Sequence, residues 1–85
     1  MAIVRIVQET VLGCRCVAFD EHAITRMYER NVSEDEVLAV LKTPDQTGLP
    51  TQPSRFRYRK KIVGRSVDVV FEQDPTQIIV ITVIA

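Results

Sequence analysis

From residue 20 onward apolar side chains return every three to four positions, at Ala23, Ile24, Met27 and Tyr28. That spacing collects them on one side of a helix. Asp20 suits an N-cap and Glu21 favours the first turn, so the pattern predicts a helix over residues 21–30. Asn31-Val32 breaks it, and Ser33-Glu34-Asp35-Glu36 then forms a capping box, in which a hydroxyl and a carboxylate satisfy the orphan amides of a new helix. Val37, Leu38, Val40 and Leu41 give this second helix its apolar side, and Thr43-Pro44 closes it. The two form a helical hairpin.

After the hairpin the period changes. Residues 44–54 contain three prolines and one glycine without any repeat, which predicts a long flexible loop. Beyond it, residues 55–63, 66–73 and 77–84 are rich in β-branched and aromatic residues and read as three strands of a meander. A tight turn at Gly64-Arg65 would set Val63 opposite Ser66, Lys61 opposite Asp68, Arg57 opposite Glu72, Ile62 opposite Val67 and Tyr58 opposite Phe71. With Glu72 opposite Gln77, the last strand turns Ile78, Val80, Thr82 and Ile84 toward the helices, beside Lys60. Ile79, Ile81, Val83 and Val70 would then lie on the other side with the arginines, a mixed face that calls for cover. At the N-terminus, residues 2–8 alternate weakly and residues 14–19 form a short apolar run, enough for a strand or extended cover. The fold class expected is α+β: two N-terminal helices packed on a three- to four-stranded antiparallel β-meander, within one domain spanning residues 1–85.

Composition changes this picture little, because 46% hydrophobic and 26% charged residues are ordinary for a globular chain of 85 residues. Charge changes it more. Eleven basic residues balance eleven acidic ones, which argues against binding nucleic acid through summed charge. Any such contact has to be local, as in Arg55-Phe-Arg-Tyr-Arg-Lys-Lys61, while acidic residues gather at 34–36. With no signal-peptide pattern and no membrane-length apolar run, a cytoplasmic chain without membrane contact is expected. Cys14 and Cys16 are one residue apart, awkward for a bridge, so reduced thiols are expected. A metal site from both and His22 lacks an obvious fourth ligand, and no cofactor or metal is expected.

The candidate chemistry lies on the first helix. His22, the only histidine, is followed at four-residue spacing by Arg26 and Arg30. At about 100° per residue these three fall within an arc of about 80° that borders the Ala23–Met27 stripe. An imidazole can take or give a proton near neutral pH, and a guanidinium holds two phosphate oxygens while staying charged. Metal-free RNA cleavage needs those groups: a proton acceptor for the 2′-hydroxyl, fixed positive charge on the crowded phosphorus, and an acid for the departing 5′-oxygen. The same residues also admit plainer roles. His22 could be a surface residue, the arginines could pair with Glu29 or Glu34, and the basic strand could be a solvated sheet face.

The run from His22 to Val37, with its His-Ala-x-x-Arg-Met-x-x-Arg pattern and Ser-Glu capping box, resembles the bacterial domain of unknown function 4258 family over about residues 19–84. The basic strand, the Gly64 hairpin and the terminal Ile79-Val-Ile-Thr-Val83 belong to the same resemblance. It implies a compact two-helix plus antiparallel-sheet domain similar to RelE and BrnT toxin ribonucleases, which cleave RNA without metal and are often neutralised by an antitoxin. It carries over His22, Arg26, Arg30 and Thr82 as catalytic residues, and the strand pattern adds Arg57, Lys60 and Tyr58 as substrate-binding candidates. The expected function is a toxin-like, metal-independent endoribonuclease of a toxin–antitoxin type system, with RNA, an antitoxin-like protein and a second copy as candidate partners. The competing expectations are a noncatalytic protein-interaction module and a nucleic-acid-binding regulator.

Overall fold

The computed structural model describes residues 1–85. Element order is β1 (Ile3–Val7), β2 (Cys16–Asp20), α1 (Glu21–Arg30), α2 (Glu34–Lys42), β3 (Phe56–Ile62), β4 (Arg65–Gln73) and β5 (Gln77–Ile84). The helices form where capping predicts. Asp20 accepts a hydrogen bond from the His22 amide, Ser33 and Glu36 form a reciprocal capping box, and Asn31 ends α1 in the left-handed region.

The sheet corrects the expected architecture. It has five strands in the order β1-β2-β5-β4-β3, so it is mixed, and the two helices follow two strands instead of opening the fold. β2 pairs parallel with β5, from Cys16 opposite Gln77 to Phe19 opposite Val80. The cause is legible in β2 itself: Val17, Ala18 and Phe19 are each fully buried, so this strand is covered on both faces and flanked on both edges. A run of apolar residues without alternation marks an interior strand, not edge cover.

Register departs from expectation by two residues on β3. Ile62 faces Arg65, Arg59 faces Asp68, Tyr58 faces Val69 and Phe56 faces Phe71. Val63 and Gly64 supply the turn, with φ of 47° and 80°, the doubly left-handed pair of a primed hairpin. A β-branched residue pays a steric cost there, and Val63 projects into solvent. Because the slip is even, each side chain keeps its face while changing its partner.

On β5 the pairing is also displaced: Gln73 faces Ile78 and Phe71 faces Val80. A bulge follows, so that Val70 faces Thr82 and Val69 faces Val83. The extra residue exchanges the faces at the end of the strand. Val83 joins the core in the place expected for Thr82, and Ile84 is exposed.

The core lies between the helices and one face of the sheet, around Phe19, Phe71, Leu41 and Ile78. The first half of the 44–54 segment is tied down: Asp45 and Gln46 amides donate to the Arg59 carbonyl at 2.8 and 3.1 Å, and the Leu49 amide donates to the Arg57 carbonyl at 3.3 Å. It caps the outer edge of β3. Arg65, at the β3–β4 hairpin, donates to the carbonyls of Arg30 and Asn31, both at 2.6 Å. A cation on the last carbonyls of α1 satisfies them and complements the helix dipole. Arg65→Ala should lower stability by about 1–2 kcal/mol, read as a reduced thermal midpoint by circular dichroism; an unchanged midpoint would show the clamp to be incidental.

Candidate functional site

α1 lies over β5, and its polar flank runs beside the end of that strand. β2 stops pairing at Phe19 opposite Val80, so Thr82, Val83 and Ile84 have β4 on one side and no strand on the other. The notch left by the shorter strand is a hollow of about 370 Å³ lined by His22, Arg26, Arg30 and residues 82–85. Four-residue spacing on α1 brings the three cationic or ionisable side chains onto one wall. The ends of the helix are held by Asp20 and by Arg65, so the wall is fixed at both extremities.

The electrostatics of that wall differ from those of the rest of the surface. His22 and Arg30 have no ion-pair partner, and Arg26 meets only Glu29, at 3.5 Å between two half-exposed side chains. An exposed pair of that length contributes little and exchanges readily for another anion. His22 also borders a second, shallower depression with Ala2, Asp20, Glu21 and Thr25. The Asp20 carboxylate there accepts from the Ala2 and His22 amides, at 3.0 and 3.1 Å, which fixes the backbone from which His22 projects.

The residues expected from the strands lie elsewhere. Lys60 donates to the Thr43 carbonyl at 2.9 Å and sits 3.9 Å from Asp45, under α2 and not beside Thr82. Tyr58 packs edge-on against Phe71, with centroids 4.9 Å apart, and belongs to the core margin. Arg57 and Arg59 both bind Asp68, which is 2% exposed. Arg55 pairs with Glu72. The structure therefore brings together His22, Arg26, Arg30 and Thr82 and does not bring Arg57, Tyr58 or Lys60 to them.

Asp68 is the hub that sequence reasoning assigned to Lys61. Burial alone would raise its carboxyl pKa; hydrogen bonds and charge from Arg59 and Arg57 outweigh that and hold it below the ordinary value. Its carboxylate also raises Arg59 further above the usual guanidinium value. The consequence for function is a loss of free positive charge. Within the basic segment 55–61, three arginines are already neutralised by partners across the sheet.

Cys14 is buried with its Sγ 3.5 Å from the Asp74 carbonyl, Cys16 is half-buried, and both are free thiols. No three His, Cys, Asp or Glu side chains are grouped so as to hold a metal ion. No helix is long and apolar enough to cross a membrane.

Sequence reasoning missed the part of the hollow made by residues 83–85. The available sign was a difference in length: β2 has five residues and β5 has eight, so a parallel pair must leave one end of β5 uncovered.

No curated protein and no solved structure matches the chain. A family model does, described as a domain of unknown function, DUF4258, over residues 19–85. The matched stretch begins on β2 and takes in α1, both walls of the hollow and every later strand. The chain belongs to the DUF4258 family.

Proposed function

We propose that the hollow between α1 and the end of β5 binds an RNA phosphodiester, and that the chain is a toxin-like, metal-independent endoribonuclease similar to the RelE and BrnT class. The observation that carries this reading is the convergence of His22, Arg26 and Arg30 with Thr82 in one open notch, with two of the three helix groups free of ion pairs. Its volume of about 370 Å³ suits a phosphate with an adjoining sugar. Its walls carry no Phe, Tyr or Trp ring on which a base would stack. Recognition therefore falls on the sugar–phosphate chain, and cleavage is expected to tolerate many base sequences.

In the proposed step neutral His22 removes the 2′-hydroxyl proton, and the 2′-oxygen forms a bond to phosphorus. The bond from phosphorus to the 5′-oxygen breaks, and the leaving oxygen takes the proton back from the imidazolium. The products are a 2′,3′-cyclic phosphate and a 5′-hydroxyl. Arg26 and Arg30 stabilise the negative charge on the pentacovalent phosphorus, and Thr82 orients the strand. An antitoxin-like protein would neutralise the activity by covering the notch.

Neutral overall charge is compatible with this reading because the required charge is local. Incubating the purified chain with single-stranded RNA in chelator should yield fragments ending in cyclic phosphate. RNA left intact, or cut equally by wild type and His22→Ala, would contradict it.

A further inference from the structure

The two edges of the sheet are treated differently. β3, at one edge, is capped along its length by residues 45–49 and carries alternating basic side chains. β1, at the other, has β2 on one side and nothing on its outer side. Its sequence is Ile-Val-Arg-Ile-Val, and Ile3, Val4 and Ile6 are 40%, 55% and 50% exposed. Ile6 shares the face of its partner Ala18, the side of the sheet that carries no helix, and Val4 is the extra residue of a bulge on the same strand. Large apolar side chains on an open edge, with free backbone donors and acceptors, are the conditions under which another strand adds.

We propose that β1 pairs antiparallel with β1 of a second copy, with Arg5 on the two-fold axis and Val4 opposite Ile6 at both ends. The two sheets then continue into one of ten strands. The pairing sets apolar against apolar on the helix-free face, extending the stripe of Ile6, Ala18 and Ile79 across the junction.

Charge complementarity selects this occupant on the helix-bearing face. Arg5 holds Glu34 through Nε and Nη2, at 3.0 and 3.2 Å, which leaves Nη1 free. On the axis the two Arg5–Glu34 pairs lie side by side, so each guanidinium meets the other copy's carboxylate and the charges alternate. The chain's zero net charge adds no long-range repulsion between copies. None of the residues lining the α1–β5 hollow takes part, so this inference stands apart from the RNA reading.

Sedimentation equilibrium of the full chain at about 100 µM should give twice the 9.7 kDa of one chain. A single-chain mass overturns the proposal. The double variant Val4→Lys, Ile6→Lys should sediment as one chain with an unchanged far-UV spectrum, since both side chains are already about half exposed; a folded variant that stays dimeric overturns the assignment to β1. Self-crosslinking gives a reading that does not depend on that variant folding. In a Cys16→Ser background, Arg5→Cys on the axis comes within disulfide range of itself, whereas Gln8→Cys is held on the order of 20 Å from its copy. Rapid crosslinking through Arg5→Cys alone supports the pairing; equal rates at the two positions exclude it.

Discussion

Asp68→Ala should lower stability by about 2–4 kcal/mol, moving the thermal midpoint down by roughly 10–20 °C, although Asp68 lies outside the candidate site. The substitution leaves Arg57 and Arg59, which are 27% and 36% exposed at the side chain, facing a small void without a counter-charge. Full loss of a buried pair costs more than this; partial solvent access to both guanidiniums limits the penalty. Asp68→Asn separates charge from shape. The folded carboxyl has a depressed pKa, so its contribution is fully present above the unfolded value near 4 and is lost as pH falls through the folded one. Wild type and Asp68→Asn should therefore differ most at neutral pH and converge as pH falls below about 4, followed by chemical denaturation. A difference that stays constant from pH 7 to pH 3 would show that packing, not ionisation, is what Asp68 supplies.

His22→Ala should reduce RNA cleavage by about 10²–10⁴-fold, the range for loss of a general acid–base group, with little change in stability because the side chain is exposed. Arg30→Ala should cost about 10²–10³-fold through lost stabilisation of phosphorus charge, and Arg30→Lys less, since a point charge replaces a two-pronged donor. Arg26→Ala should cost less than Arg30→Ala, because Glu29 already competes for that guanidinium. Single-turnover cleavage of one labelled RNA measures all four. Equal activity in the His22 and Arg30 variants would remove both from the reaction.

Both helices and the order of functional groups on α1 were readable because they depend on local chemistry: a cap at Asp20, a capping box at Ser33 and a four-residue repeat of cations. The strands were found for the same reason. Their partners were not. Placing the hairpin at Gly64-Arg65 followed the preference of glycine for left-handed backbone, whereas Val63 takes the first turn position and shifts every pair on β3 by two. The bulge near Ile81 then moved Thr82 off the core face, which no alternation pattern announces. Assigning β2 to the sheet interior required weighing Cys16-Val-Ala-Phe as a doubly buried strand joined to β5 across more than fifty residues, a long-range choice that local propensity does not contain. Lys60 was paired with Thr82 on a face they turned out not to share. The candidate site survives those errors because three of its side chains come from one helix.

The account depends on whether phosphate enters the notch between α1 and β5. Titrating ¹³C,¹⁵N-labelled protein with a 2′-deoxy RNA analogue, which cannot be cut, tests entry apart from catalysis. The His22 ring resonances should move saturably in wild type and stay in place in Arg30→Ala. His22 signals that remain still while other residues respond, or at every analogue concentration up to millimolar, would contradict a phosphate site there.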